Sequence, residues 1–278
     1  VFTDYHVHLR PDDVEATPER FFTTANAESY REAAAERGIA ELGVSEHIHR
    51  FHQALAVWTH PWWQTYARDD LDAYCEFVRG HTDLRLGIEA DFIPGREDRL
   101  ANVLDGRGWD YVIGSVHFVG EQAVDTDDYS VWDGARSAED VWRRYFAVLA
   151  EAARSGLYDV LAHPDLVKVW GGSRPVPDGD LRRFYEVAVE ALAESGIAVE
   201  VSTAGLRKPV GEIYPAPAFL EMCADAGVPV ALSSDAHVPQ DIGASYDQAV
   251  ELLQRVGITQ LCVFERRQRR LEPLGETG

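Results

Sequence analysis

The 278-residue sequence predicts an α/β fold of seven or eight βα units closed into a barrel, and three observations carry that expectation. A helix-like stretch, a Gly and a short apolar run recur along the chain, the glycines being Gly38, Gly156, Gly196, Gly227 and Gly257. Glycine after a helix supplies a left-handed cap, and a wholly apolar run suits a strand buried on both faces of a parallel sheet. The last three of these glycines stand 31 and 30 residues apart, about one βα unit each. Finally, nearly every expected strand finishes in His, Glu or Asp at the same end. That ordering favours a barrel over a doubly wound sheet, because βα barrels assemble their chemistry from the C-terminal ends of several strands.

Thr3-Asp4-Tyr5-His6-Val7-His8 reads as strand 1. Its alternation puts His6 and His8 on one face about 6–7 Å apart, a spacing that lets two imidazoles grip one divalent ion. A helix is expected over 26–37 with Asn26 as its N-cap. Strand 2, from Ile39 to Val44, runs into Ser45-Glu46-His47. The segment from His52 to Asp70, with Trp58, Trp62, Trp63 and Tyr66, is a long aromatic-rich connection. It reads either as a lid or substrate wall or as a satellite apolar cluster on the rim. Strand 3, from Leu84, ends in Glu89-Ala90-Asp91, and strand 4, Asp110 to Val116, leads to His117. Ser137-Ala138-Glu139-Asp140 resembles a capping box with Asp in place of Glu, opening a helix over 138–155. Strand 5 leads into His163-Pro164-Asp165, strand 6 covers Ile197 to Val201, and strand 7 ends in Ser233-Ser234-Asp235-Ala236-His237. Gly171-Gly172-Ser173-Arg174-Pro175 is a second loop near the same rim, and Ile258 to Phe264 is the last apolar run.

Apolar residues make up 46% of the chain, enough for a large core and for one domain spanning 1–278. No run of about 18 apolar residues is present, so no membrane span is expected. The N-terminus is read as carrying no signal peptide. Cys75, Cys223 and Cys262 are isolated and odd in number, which fits neither a disulfide framework nor a zinc ribbon and leads to the expectation of a reducing cytoplasm. A net charge of −21 disfavours non-specific binding to nucleic acid or anionic membrane. Lys168 and Lys208 are the only lysines; the other basic residues are arginines.

Five or six His with Glu89 and Asp235 form a nitrogen and oxygen donor set without sulfur, suited to Zn, Mn or Fe(II). These donors exceed what one tetrahedral ion needs, so at least two ions are implied, with Glu89 as the candidate bridge. Closely spaced ions can share a hydroxide nucleophile and clamp both the attacking and the leaving oxygen of a phosphate ester.

The ordered motifs resemble the PHP (polymerase and histidinol phosphatase) superfamily over nearly the whole chain. They are His6-Val7-His8, Ser45-Glu46-His47, Gly87-Ile88-Glu89-Ala90-Asp91-Phe92, Ile113-Gly114-Ser115-Val116-His117-Phe118, His163-Pro164-Asp165, the stretch from Glu200 to Lys208, and Ser233-Ser234-Asp235-Ala236-His237. The Gly114–His117 and Thr203–Arg207 versions look most like the histidinol-phosphate phosphatase branch.

The resemblance implies a distorted (βα)7 TIM-like barrel with a trinuclear centre. His6, His8, Glu89 and Asp235 would hold the first ion, Glu89, His117 and His163 the second, and His47 and His237 the third. The family's further ligand for the third ion follows its first motif. Here that stretch is Leu9-Arg10-Pro11-Asp12-Asp13, leaving Asp12 or Asp13 to substitute. Arg207 matches the family's phosphate-binding Arg, and Lys168 sits where the family has a basic residue. His49, His52, His60 and His81 match no motif and are read as structural or as loop surface. The implied activity is hydrolysis of a small phosphorylated substrate, L-histidinol phosphate, to L-histidinol and phosphate, a reaction of histidine biosynthesis. A hydroxide bridging two to three divalent ions would be the nucleophile. The alternative is a PHP phosphoesterase acting on nucleotides or another small phosphate ester, for which a basic track beside exposed aromatics is expected and none is present. An amidohydrolase-type barrel would need a modified Lys on strand 4, and a degenerate non-enzymatic module would have lost its ligands.

Overall fold

In the computed structural model, which describes residues 1–275, seven parallel strands follow one another in sequence order. They are β1 (Phe2–Asp4), β2 (Ile39–Val44), β3 (Arg85–Asp91), β4 (Tyr111–Ser115), β5 (Val160–Leu161), β6 (Ala198–Ser202) and β7 (Val230–Ser233). The barrel is nearly closed: Val7 and Ala236 form a single parallel bridge between its two ends, and Thr3 Oγ1 donates to the Leu232 carbonyl at 3.1 Å.

Strand parity sets what lies inside. On β3, Leu86, Ile88 and Ala90 pack outward in the main core, while Gly87 and Glu89 point inward. Tyr111 and Ile113 of β4, Val160 of β5, Ala198 of β6 and Ala231 of β7 form a second, inner cluster with Tyr5. A Cβ at Gly87 or Gly43 would lie 2.2 or 2.4 Å from the Tyr111 side chain, so both positions must be glycine for that ring to fit. The Tyr111 hydroxyl then donates to the Tyr5 carbonyl at 2.6 Å. This aromatic floor supports the polar end of the barrel above it.

The last apolar run does not add a parallel strand. It forms an antiparallel hairpin, β8 (Gln260–Glu265) with β9 (Gln268–Pro273). Arg266 and Arg267 at its turn both have positive φ, 49° and 59°, the geometry of a tight two-residue reversal. Cys262 and Phe264 of the hairpin enter the inner cluster and seal the barrel floor.

Helix boundaries differ in one instructive place. The helix expected over 26–37 is Thr24–Glu36, capped by Thr23, whose hydroxyl accepts from the Asn26 amide at 3.2 Å. The Asn26 side chain instead donates to the Leu9 and Phe21 carbonyls, each at 2.8 Å, and so ties down the segment after β1. Ser137 does cap the helix Ala138–Arg154, accepting from the Asp140 amide at 3.1 Å. The 52–70 connection contains a short helix, Pro61–Tyr66, with Trp63 fully buried on one side. Among the described residues no helix is long and apolar enough to cross a membrane.

Candidate metal centre

The C-terminal ends of the strands converge on Glu89. Its Oε2 lies 3.2 Å from His6 Nε2, 3.6 Å from His8 Nε2 and 2.5 Å from His47 Nδ1. Its Oε1 lies 3.2 Å from His163 Nε2 and 3.5 Å from His117 Nε2. Asp235 Oδ1 closes a second side, 3.6 Å from His6 Nε2 and 3.4 Å from His8 Nε2. β1 stops at Asp4, whose carboxylate accepts from the Ser234 and Gly243 amides at 2.9 and 3.2 Å. The chain beyond it is irregular, yet the His6 and His8 rings still share one side, with centroids 5.2 Å apart.

These distances fit divalent ions. Metal–nitrogen bonds of about 2.0–2.1 Å in a tetrahedron put ligand atoms roughly 3.3 Å from one another. Among His6 Nε2, His8 Nε2, Glu89 Oε2 and Asp235 Oδ1, the four imidazole–carboxylate pairs lie 3.2–3.6 Å apart. All four atoms are buried without a hydrogen-bond partner among the described residues, a condition native proteins avoid unless something else satisfies the group. Overlapping donor triads also occur at His8/His47/His237 and at His6/Glu89/His163. Burial and the neighbouring His47 and His237 rings hold His8 well below its ordinary value, leaving it neutral with lone pairs to donate. Burial opposes charge on His47 and His117 as well. The carboxylates around them (Glu89 and Asp12 for His47, Asp91 and Glu89 for His117) nevertheless push the two up to about 9 and about 10. The field at this end of the barrel therefore favours positive charge.

A second set of carboxylates, to which the sequence reading assigned no role, orients the rings. His6 Nδ1 donates to Glu200 Oε1 at 2.9 Å, and the other Glu200 oxygen accepts the His163 amide at 2.6 Å. His117 Nδ1 donates to Asp91 Oδ1 at 2.7 Å, and Glu46 Oε1 accepts from the Leu9 amide at 2.7 Å. Such partners fix ring orientation and raise ligand basicity. His163 and Asp235 have positive φ, 23° and 52°, a strain that such tethers sustain. The signal in the sequence was parity, since Glu200 on β6 and Asp91 on β3 are acidic at inward positions.

Two expectations need correction. Asp13 does not reach the third triad: its carboxylate caps the Glu15 amide at 2.9 Å. Asp12 does reach it, with Oδ1 3.3 Å from His47 Nε2 and Oδ2 3.1 Å from His237 Nε2, because the buried Arg50 guanidinium binds and turns it inward. Lys168 is buried and lines a different cavity, ion-paired with Asp165 and Glu212 and donating to the Ile213 carbonyl. Of the two readings open for His49, the structural one holds: it is buried, its ring lies 4.8 Å from that of His47, and its Nδ1 is 3.7 Å from Asp91 Oδ2. Arg207 reaches the edge of the centre and donates to the Ser234 carbonyl at 2.6 Å.

The centre opens through two adjoining cavities, of about 160 and about 220 Å³, which share Asp12, His47, His117, Asp125 and Lys208. Trp62, Tyr66 and Phe118 wall the outer one, so the aromatic connection is both a core element and a cavity wall. A larger groove, about 710 Å³, lies against the hairpin at the other end of the barrel. It contains none of these residues, and three of its arginines are already paired with Asp72, Asp110 and Asp159.

Comparison with known proteins gives a consistent picture. The model of the PHP domain matches residues 21–204. A Deinococcus radiodurans protein described as a probable histidinol-phosphatase is 34% identical over 260 residues, covering 91% of this chain and 93% of its own length. The Bacillus subtilis histidinol-phosphatase is 28% identical over 188 residues, covering 62% of this chain and 70% of its own. Among solved structures, the Lactococcus lactis histidinol phosphate phosphatase, complexed with zinc, L-histidinol and phosphate, superposes with a TM-score of 0.68 at 18% identity. That superposition covers 97% of this chain and 100% of the other.

Proposed function

The chain belongs to the PHP domain family, and from that premise we propose that it is a metal-dependent phosphomonoesterase converting L-histidinol phosphate and water into L-histidinol and phosphate. The observation that carries the hydrolytic reading is Glu89, whose two oxygens face five imidazoles beneath an open cavity. The organic half of the substrate comes from the relatives.

His6, His8, Glu89 and Asp235 would hold one ion, Glu89, His117 and His163 a second, and His47, His237 and Asp12 a third. Two to three ions are proposed, drawn from Zn, Mn or Fe, for which imidazole and carboxylate donors are suited. Bound ions would supply a water acidic enough to attack at neutral pH, with positive charge for the phosphoryl oxygens. The protein's own part is positional. Arg207 grips the Ser234 and Asp235 carbonyls at 2.6 and 3.3 Å and so sets the turn that presents Asp235 and His237. Glu200 and Asp91 fix the imidazoles, while Trp62, Tyr66 and Phe118 offer an apolar wall to the alcohol half. The new P–O bond comes from water, the ester P–O bond breaks, and the departing alkoxide takes up a proton. A single domain over 1–278 acting in the cytoplasm completes the proposal.

The test is phosphate release from L-histidinol phosphate by metal-replete protein, beside a nucleotide panel and an aryl phosphate. A kcat/KM above ~10⁴ M⁻¹s⁻¹ for L-histidinol phosphate, far above the panel, is expected. Weak, uniform activity would remove the assignment to histidine biosynthesis and keep the hydrolase.

A further inference from the structure

Given the phosphatase reading, we propose that Lys208 is the side chain that binds the substrate's phosphoryl group directly. Neither of the two basic residues expected from the sequence to do so lines the cavities of the centre. The Lys168 ammonium donates to Glu212 Oε2 at 2.5 Å and to the Ile213 carbonyl at 2.9 Å, and is ion-paired with Asp165 Oδ2 at 2.9 Å. It lines a neighbouring cavity, separate from the two that open from the metal centre. Arg207 is held by the Ser234 and Asp235 carbonyls, with its Nε 3.4 Å from Asp241 Oδ2. Lys208 is different. It lines both cavities of the centre, and among the described residues its ammonium makes no hydrogen bond and no ion pair within 4.0 Å.

The backbone beneath it is fixed. The Lys208 amide donates to the Gly205 carbonyl at 3.1 Å, and the Lys208 carbonyl accepts from the Gly211 amide at 3.0 Å. A Cβ at Gly205 would fall 2.0 Å from the Glu212 carbonyl oxygen, so this turn is pressed against the 212–214 segment. A rigid base with an unengaged ammonium on a four-carbon stem gives a point charge that can follow a phosphoryl group through its transfer. The cavity needs one, because Asp12, Asp125 and Asp235 line it in a protein of net charge −21. The ligand class is a phosphomonoester dianion, with inorganic phosphate as its smallest member.

The test compares Lys208→Met, Lys208→Arg and Lys168→Met as metal-replete proteins. Readouts are bound metal, KM and kcat on an aryl phosphate, and inorganic phosphate affinity by calorimetry. Lys208→Met is expected to weaken phosphate binding and raise KM by about tenfold to hundredfold at unchanged metal content. Lys208→Arg should recover most of that loss, and Lys168→Met should leave phosphate affinity within about twofold. Wild-type phosphate affinity in Lys208→Met, or the loss appearing in Lys168→Met instead, overturns the proposal. Calorimetry reads the outcome even if no phosphomonoester is turned over, so failure of the phosphatase reading and failure of the Lys208 assignment are separate results.

Discussion

Glu200 sits at 0% exposure on β6 and uses both carboxylate oxygens as acceptors, one for the His6 ring N–H and one for the His163 amide. A carboxamide can accept at only one of those positions, and at the other its NH₂ would meet a donor. Glu200→Gln should therefore cost about 10–100-fold in metal affinity, the range typical of a lost carboxylate behind a ligating His. Metal titration of the chelated protein checks this, and unchanged affinity would reduce Glu200 to a packing residue. At this scale the sequence was readable where residue type and strand parity coincide. The donors at 6, 8, 47, 89, 117, 163, 235 and 237 could all be named from the chain, and the structure brings all eight to one end of the barrel. It was not readable where a side chain leaves an irregular segment. Whether Asp12 or Asp13 turns inward depends on Arg50, a residue 38 positions from Asp12 along the chain.

Among elements, the helix Pro61–Tyr66 divides its work between adjacent residues. Trp63 is fully buried and packs edge-on to Trp58 at 5.5 Å, whereas Trp62 faces His49 and Phe118 at the cavity wall. Trp63→Ala should lose about 3–5 kcal/mol of stability, as large-to-small changes of buried aromatics do. Trp62→Ala, at a side chain only partly buried against that core, should cost less stability than Trp63→Ala and raise KM for L-histidinol phosphate. Denaturant unfolding beside steady-state kinetics separates the two, and similar stability losses in both variants would make the connection purely structural. The sequence left lid, wall and satellite cluster open for this stretch. A six-residue helix with two neighbouring Trp shows which residues are apolar but not which of them the barrel covers.

For the whole molecule, the centre concentrates Glu46, Glu89, Asp91 and Glu200, all at 1% exposure or less, at one end of the barrel. Ions bound there stabilise only the folded chain, by about 2.7 kcal/mol for a site at a hundredfold excess over its Kd. Chelation should lower Tm in calorimetry, and zinc or manganese should restore it. A Tm indifferent to chelator would contradict a buried multi-ion centre.

The sequence by itself determined the strand repeat, the inward acidic parity and the chemical kind of the donor set. Each follows from local rules: glycine where φ must be positive, alternation along a strand, and nitrogen and oxygen ligands without sulfur. Only the tertiary structure decided that the last apolar run folds back as a floor, and that Asp12 rather than Asp13 meets His47 and His237. It also decided which lysine lines the cavity, since Lys168 is ion-paired with two carboxylates and Lys208, among the described residues, with none within 4.0 Å. Those outcomes rest on partners tens of residues away, and the direction of a side chain outside a regular strand is set by what packs against it.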